Sequence, residues 1–336
     1  MITMVKVGLI GCGLQGWRRA RAVREHGDRL VVVADIDEEK GKALADEMRC
    51  EASTTWEDVV ANKDIEMVIV CAPNHLHVPM SVAALENGKH VLCEKPLGRN
   101  PEEARKILDT AKKSGKLLKC GFNLRHHPGI SQVRKWFDEG VIGELSFLRC
   151  RYGTCGRSGY EREWRANLEI AGGGELLDQG IHVLDLFRWF AGGFSQAVGF
   201  TATTYWDVAP LEDNAFALLR TAKGQVATMH VSWSQWKNLF SFEVFGKEGY
   251  TIVEGLGESY GVERAILGRR SFSDPFKEEV IDFRGEDCSW REEWREFVSA
   301  IKENREPMGN SSDGLEALKL VYAIYESNRK KSVINL

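Results

Sequence analysis

The first 122 residues alternate between short apolar runs and segments whose apolar residues recur three and four positions apart. The second spacing is typical of amphipathic helices, and the short β-branched runs are typical of buried strands. Strands that alternate with helices predict a doubly wound, parallel α/β sheet with right-handed crossovers. The predicted strands are 4–10, 30–37, 65–73, 90–96 and 117–123.

Three glycines follow the first predicted strand in the spacing G-x-G-x-x-G, at Gly11, Gly13 and Gly16. A helical segment comes next, and Asp35 ends the following strand, which is the context of a dinucleotide-binding loop. Gly11 would form the tight turn, Gly13 would let a pyrophosphate approach the backbone, and Gly16 would let the helix pack closely. The helix N-terminus would favour the phosphate charge. These features predict a Rossmann domain, against the alternative of a glycine turn without a ligand.

The second strand also indicates which dinucleotide binds. Asp35 is placed to accept hydrogen bonds from the ribose hydroxyls, whereas a 2′-phosphate would face the charges of Asp35 and Asp37. NAD is therefore expected, and NADP is disfavoured. Asparagines and histidines on strand-end loops also serve as ordinary turn residues. That alternative stays open for Asn74, His77 and Asn123. The expected cofactor contacts are Gly11, Gly13, Leu14, Gln15, Gly16, Asp35, Ala72, Asn74, His77, Glu94 and Asn123.

The stretch GGGELLDQGIHVLDLFRWF, residues 172–190, predicts a buried helix after three glycines. Its exceptions are Asp178, His182 and Asp185, which stand at i, i+4 and i+7 and would share one face. A buried polar group without a partner costs about 1–3 kcal/mol, so these side chains need partners or a function. The stripe is therefore either a functional site or a set of satisfied core hydrogen bonds, and for Asp185 the structural role is favoured.

Length and composition narrow the class of protein. The 336 residues suggest two domains, which we place at 1–122 and 123–336. The net charge of −4 disfavours a nucleic-acid partner, and the absence of a long apolar run disfavours a membrane span. The N-terminus lacks the features of a signal peptide, so a cytoplasmic protein is expected. None of the eight cysteines has C-x-x-C or zinc-ligand spacing, so neither a disulfide framework nor a metal is expected.

Six motifs follow one another along the chain: VGLIGCGLQG, CAPNHLH, CEKPLG, GFNLRHHP, GGGELLDQGIHVLDLFRWF and LEDNAFALLR. This ordered set resembles the glucose–fructose oxidoreductase / inositol dehydrogenase / rhizopine catabolism (Gfo/Idh/MocA) family. The resemblance implies an NAD-dependent oxidoreductase that acts on a small sugar. It also implies an α+β second domain with an open, mostly antiparallel sheet, whose outer face often makes homodimer or homotetramer contacts.

The resemblance also implies the catalytic residues. Lys95 matches the lysine of an E-K-P motif, and Asp178 and His182 match a D-x-x-x-H pair. Lys95 would hydrogen-bond the reacting oxygen, although a solvated strand-end lysine is the alternative. His182 would accept the hydroxyl proton, since imidazole has an unperturbed pKa of about 6.5. Asp178 would orient either the imidazole or the substrate.

An arginine-rich stretch at residues 149–170 is the part least like the family. Arginine binds phosphate in bidentate fashion and aromatic rings stack on sugars, which favours a sugar phosphate or a nucleotide sugar as substrate. The alternative is a solvated basic loop balanced by its glutamates, because surface charge pairs are common and weak. The expected substrate contacts are Arg125, Tyr152, Trp164 and Arg165.

Two other functions stay open at this point. An inositol-type cyclitol dehydrogenase would need no phosphate-binding loop. A non-catalytic NAD-binding sensor would need no acid–base residues, yet Lys95, Asp178 and His182 are all present. Their presence favours an enzyme that transfers a hydride between nicotinamide and a secondary alcohol.

Overall fold

The computed structural model describes residues 4–275 and 277–336 and divides into two compact units. The first unit contains the chain up to Asn123 together with Trp290–Glu316. The second contains Leu124–Ser289 and Ala317–Leu336. The boundary predicted after residue 122 therefore leaves the segment Trp290–Glu316 out of the first unit, to which it belongs.

The first unit is built on a six-stranded parallel sheet with the strand order β3-β2-β1-β4-β5-β6. This arrangement confirms the predicted doubly wound sheet. The short strand β3 was not predicted, because its three residues are half-buried or exposed and form no apolar run. The strands are β1 Lys6–Ile10, β2 Arg29–Ala34, β3 Glu51–Ser53, β4 Met67–Val70, β5 His90–Glu94 and β6 Leu118–Gly121. The helices are α1 Leu14–His26, α2 Glu38–Met48, α3 Trp56–Ala61, α4 His77–Glu86 and α5 Pro101–Ser114.

Local sequence signals set the ends of these helices. Asn100 caps α5 by accepting a hydrogen bond of 2.9 Å from the backbone N–H of Glu103, and a proline follows at the first helical position. Gly115 ends α5 and Gly27 ends α1, with φ values of 65° and 89° that suit glycine. A glycine with a positive φ therefore ends each of these two helices.

The second unit contains a nine-stranded sheet in the order β14-β13-β12-β11-β7-β10-β9-β8-β15. The described strand pairs are antiparallel, apart from the parallel pair β7–β10, which confirms the mostly antiparallel sheet. The strands are β7 Leu145–Gly153, β8 Gln196–Ala202, β9 Asn214–Arg220, β10 Val226–Ser232, β11 Leu239–Gly246, β12 Gly249–Glu254, β13 Glu263–Arg269, β14 Glu278–Phe283 and β15 Ile334–Asn335. The remaining α-helices are α6 Pro128–Asp138, α7 Leu168–Ala171, α8 Ile181–Ala191, α9 Ser289–Glu303 and α10 Ser311–Lys330. No helix in the described part of the chain has both the length and the apolar character needed to cross a bilayer.

The segment Trp290–Glu316 completes the core of the first unit. Trp294 and Phe297 of α9 are buried in the same apolar cluster as the strand residues Val7 and Leu9. The indole N–H of Trp294 also donates a 2.9 Å hydrogen bond to the Asp28 carboxylate. The amphipathic pattern of α9 predicts a buried face, but the sequence does not indicate which unit covers that face.

Candidate active site

The three glycines of the first unit occupy three different environments. Gly11 has a φ of 95°, which favours glycine, and a Cβ there would lie 2.6 Å from the Cys71 carbonyl oxygen. A Cβ on Gly16 would lie 2.0 Å from the Gly11 carbonyl oxygen, whereas a Cβ on Gly13 would have no neighbour within 4 Å. Leu14 then begins α1, and no described side chain caps its N-terminus. The loop thus has a tight turn, close helix packing and an open glycine beside free N–H groups, which fits a pyrophosphate.

The Asp35 carboxylate is held against this loop. One oxygen accepts a 2.7 Å hydrogen bond from the Cys12 N–H, and the other accepts a 2.9 Å bond from the Asp37 N–H. Asp35 is half-buried and each oxygen keeps a further lone pair, so it is fixed in orientation and accessible to a diol. The side chain of Asp37 caps α2 instead, by accepting from the Lys40 N–H. The contact between Asp35 and a ribose stays a prediction.

His77 connects two loops at the strand ends. Its buried ring lies 2.7 Å from the Pro96 carbonyl oxygen through Nδ1 and 2.8 Å from the Ala72 carbonyl oxygen through Nε2. Because both partners are acceptors, both ring nitrogens must carry hydrogen, as in the imidazolium. Burial lowers the pKa of His77, but the neighbouring Cys93 and the two carbonyls outweigh burial and raise the pKa to about 9. His77 and Ala72 therefore organise these loops, and their contact with the cofactor stays a prediction.

Lys95 follows β5 directly and is half-buried, while Glu94 before it is buried. The Glu94 carboxylate lies 2.7 Å from Nε and 2.6 Å from Nη2 of Arg19. The Arg19 guanidinium also donates to Glu293 at 2.5 Å. Burial lowers the pKa of Arg19, whereas the carboxylates of Glu293 and Glu94 raise it, with a net upward shift. Glu94 is therefore part of a buried ion pair, and its predicted cofactor contact remains untested.

The ion pair extends into a set of charges that we call the Arg19 cluster: Glu94, Arg19, Glu293 and Lys119, which are buried, and Glu296, which is partly buried. The ammonium of Lys119 lies 3.6 Å from Glu293 and 3.7 Å from Glu296. Charges are buried in proteins when they are paired, and alternation of sign along this cluster provides that pairing. No local sequence pattern predicts the cluster, because its members come from positions 19 to 296. Asn74 and Asn123, which begin short 3₁₀ turns after β4 and β6, are buried and also stay predicted cofactor contacts.

The glycine-led stretch of the second unit is not one continuous α-helix. Leu176–Gly180 forms a π-helical turn, and α8 begins at Ile181. A π turn of this kind often lies at a functional site. Asp178 lies within the π turn and His182 lies in the first turn of α8. Sequence periodicity could not predict this change of helix type.

The glycines before this turn pass close to two other elements. A Cβ on Gly173 would lie 2.4 Å from the Tyr325 hydroxyl, and one on Gly174 would lie 2.2 Å from the Glu212 carbonyl oxygen. The Glu212 carboxylate accepts hydrogen bonds from the Tyr325 hydroxyl at 2.7 Å and from the Leu176 N–H at 3.0 Å. Glu212 and Tyr325 therefore fix the start of the segment that carries Asp178 and His182.

The acid–imidazole–acid stripe separates into two parts. Asp185 is buried and accepts two hydrogen bonds from Arg125, at 2.7 Å from Nε and 2.5 Å from Nη2. Asp178 has a side chain that is 28% exposed and lies 3.7 Å from Arg165. His182 is buried. Asp185 and Arg125 thus form a structural pair, the Arg125–substrate contact stays a prediction, and Asp178 remains accessible to a substrate.

Several polar and aromatic side chains surround the π turn. Tyr152 on β7 lies with its ring centroid 5.4 Å from that of Tyr260, and the Gln179 amide donates to the Tyr260 hydroxyl at 3.4 Å. Burial raises the pKa of Tyr260 to about 12, so its hydroxyl keeps its proton near neutrality. The Trp164 ring lies 4.4 Å from the Arg165 guanidinium carbon. Tyr260 and Gln179 were not predicted from the sequence, since no local pattern connects them to Tyr152.

Comparison with known families agrees with this architecture. A family model described as the oxidoreductase family with an NAD-binding Rossmann fold matches residues 5–122. A second, described as the GFO/IDH/MocA C-terminal domain, matches residues 130–252. The chain belongs to the GFO/IDH/MocA family. Membership confirms the resemblance seen in the motifs, and it confirms NAD as the cofactor class of the first unit.

Among curated members of the family, the chain is similar to levoglucosan dehydrogenase of Pseudarthrobacter phenanthrenivorans, with 28% identity over 91% of this chain and 89% of the relative. It is also 28% identical to inositol 2-dehydrogenase of Rhizobium meliloti, over 99% of both chains. The identity to 1,5-anhydro-D-fructose reductase of Ensifer adhaerens is 30%, over 91% of this chain and 90% of the reductase. A solved structure of levoglucosan dehydrogenase in complex with NADH and levoglucosan superposes with a TM-score of 0.90 at 25% identity, covering 99% of both chains.

Proposed function

We propose that the protein is an NAD-dependent dehydrogenase that oxidises a secondary alcohol of a neutral sugar or cyclitol. The observation that carries the proposal is the accessible Asp178 carboxylate, one helical turn from His182, on a segment held in place by Glu212 and Tyr325. The NAD-binding family of the first unit supports hydride transfer as the reaction. The names of the similar relatives support a sugar or a cyclitol as the substrate class.

The nicotinamide of NAD accepts the hydride when it is bound, and the residues of this chain supply binding and proton transfer. The backbone of the glycine loop holds the pyrophosphate, and Asp35 binds the adenosine ribose. Lys95 donates a hydrogen bond to the reacting oxygen and stabilises the negative charge that develops on it. His182 accepts the hydroxyl proton, and Asp178 orients the imidazole or the substrate.

The charge pairing of the arginine-rich stretch favours a neutral substrate over an anionic one. Arg157 donates to Glu163 through Nε at 2.5 Å and through Nη2. Arg149 donates to Glu243 at 2.5 Å and 3.0 Å. A guanidinium that already binds a carboxylate has fewer donors for a phosphate. The sugar phosphate or nucleotide sugar expected from the sequence stays a prediction. These arginine–glutamate pairs weaken the argument for it.

The proposal is tested by incubating the full-length protein with NAD, and separately with NADP, across neutral sugars, cyclitols, sugar phosphates and nucleotide sugars. Formation of reduced nicotinamide is followed by absorbance. We expect turnover with NAD and a neutral polyol, and a loss of about 10²–10⁴-fold in kcat for Lys95→Ala and for His182→Ala. Lys112→Ala, an exposed lysine on α5, is the matched control for loss of one lysine charge.

Two results would contradict the proposal. Turnover restricted to phosphorylated sugars would reject the neutral substrate class and keep the dehydrogenase. NAD binding without a single turnover on any member of the panel would favour the non-catalytic sensor.

We also propose that the protein forms a homodimer or homotetramer through the second sheet. Along β9 the buried residues alternate with Phe216 and Leu218, which are exposed, and Phe200 on the neighbouring β8 is exposed as well. A group of exposed apolar residues on one sheet supports an interface. Light scattering of the wild type and of Phe216→Glu tests this proposal, and a wild-type monomer at micromolar concentration would contradict it.

A further inference from the structure

The arginine-rich loop between β7 and α7 is anchored to the second unit by an aromatic side chain. Tyr160 is buried, with its ring centroid 4.4 Å from Trp233 and 6.1 Å from Trp206. Val208 and Leu211 complete this small apolar cluster. The charged side chains on either side of Tyr160 therefore start from a fixed backbone.

Three of these loop charges, Arg157, Glu163 and Arg165, alternate in sign and lead to Asp178 in the π turn. Glu163 binds Arg157 through both of its carboxylate oxygens. The Nη1 atom of Arg165 lies 3.7 Å from the same Glu163 carboxylate, and its Nε lies 3.7 Å from Oδ2 of Asp178. The Trp164 ring packs on the guanidinium of Arg165 at 4.4 Å. Arg165 is thus held on one side by Glu163 and Trp164, and its other side faces Asp178.

We propose that Arg165 is a positioning residue, which keeps Asp178 ionised and fixes the orientation of its carboxylate. The inference rests on the proposed function, in which Asp178 orients His182 or the substrate. It gives the arginine-rich loop a role that requires no anionic substrate. Arg157 and Glu163 act one step further away, because they hold Arg165 in place.

The other groups near Asp178 define what removal of Arg165 would change. The hydroxyls of Tyr152, Tyr160 and Tyr260 interact electrostatically with Asp178, and so does the more distant guanidinium of Arg157. Glu175 lies one turn before Asp178, and His182 lies one turn after it. Arg165 places a positive charge 3.7 Å from the Asp178 carboxylate, and loss of an opposite charge at that distance favours the protonated form of Asp178.

The test is a carboxyl ¹³C titration of Asp178 in the full chain with NAD bound, with the resonance assigned by its disappearance in Asp178→Asn. We expect the titration midpoint of Asp178 to rise by about 1 pH unit in Arg165→Gln. This shift is at the low end of the effect of a nearby opposite charge, because both side chains of the pair are partly exposed. Arg165→Lys should retain a large part of the lower midpoint. Arg162→Gln is the matched control, since Arg162 is on the same loop, is 86% exposed and lies 3.6 Å from Glu161.

An unchanged midpoint in Arg165→Gln would overturn the proposal, as would an equal rise in Arg162→Gln. With an active substrate, the acidic limb of kcat/KM should move upward by the same amount as the midpoint. A KM that rises only for phosphorylated sugars, with an unmoved midpoint, would assign Arg165 to substrate binding instead. The titration needs no substrate, so failure to find turnover would reject the proposed function without deciding the role of Arg165.

Discussion

Replacement of Arg19 by methionine should destabilise the first unit strongly. The side chain of Arg19 is 1% exposed and separates the carboxylates of Glu94 and Glu293, which are also buried. Methionine fills much of the same volume but leaves two buried negative charges without their shared partner. Removal of one member of a buried ion pair costs about 3–5 kcal/mol. We expect a loss of that order in the free energy of unfolding.

Arg24→Met on the same helix is the matched control. Arg24 also binds a glutamate, Glu47, at 2.8 Å, but the two side chains are 50% and 46% exposed. Exposed pairs contribute about 0–1 kcal/mol, so the two variants should differ by roughly 3 kcal/mol. The two carboxylates can be neutralised by adding Glu94→Gln and Glu293→Gln to Arg19→Met. This triple variant should recover part of the lost free energy of unfolding.

Urea unfolding measures these differences without the ionic screening that guanidinium chloride introduces. Hydrogen exchange of peptides from α1 and β5 would show whether the loss falls in the first unit. Equal destabilisation by Arg19→Met and Arg24→Met would refute the account of the Arg19 cluster. Failure of the two glutamine replacements to recover any stability would show that volume, and not charge, is the cause.

Three further predictions concern the glycine loop, the glycines before the π turn, and His77. Gly13→Ala should leave the melting temperature unchanged, because its Cβ meets no atom within 4 Å, yet weaken NAD binding by at least about tenfold in calorimetry. Unchanged affinity would exclude close approach of the pyrophosphate at Gly13. Gly174→Ala should cost about 1–3 kcal/mol in urea unfolding, because its Cβ would lie 2.2 Å from the Glu212 carbonyl oxygen. Gly193→Ala, which faces open space, is the control, and equal effects would contradict the crowding. His77 has a folded pKa of about 9 against about 6.5 unfolded, so its contribution is complete below pH 6.5 and is lost as the pH rises through 9. Stability should fall by up to about 3 kcal/mol over that range, and His77→Gln should flatten the pH dependence; an unaltered profile would show that the ring is neutral.

The sequence predicted the features that local patterns encode. The glycine spacing and Asp35 at a strand end depend on neighbouring residues, and the structure has both where the pattern placed them. Contacts between distant positions were not predictable. Asp185 stands in a helical stripe, but its partner Arg125 lies 60 residues away.

Two features could not be predicted for a related reason. A π turn inserts extra backbone into a helix without a distinct hydrophobic period, so Leu176–Gly180 read as an ordinary helix. The pairing of Arg157 with Glu163 and of Arg149 with Glu243 depends on tertiary structure, so the sequence left an anion-binding loop and a balanced basic loop as open alternatives.

The return of Trp290–Glu316 to the first unit has a consequence for how the protein is made. During synthesis the Rossmann strands leave the ribosome well before α9, yet the core around Val7 and Leu9 requires Trp294 and Phe297 from that helix. The nascent first unit must therefore wait, with apolar surface exposed, while more than 160 residues of the second unit are translated. At about 5–20 residues per second the delay is on the order of ten to thirty seconds. The first unit is thus the first to begin translation, yet it cannot be completed until most of the second unit has been translated, and this interval is when a chaperone or an aggregate has access to its open core.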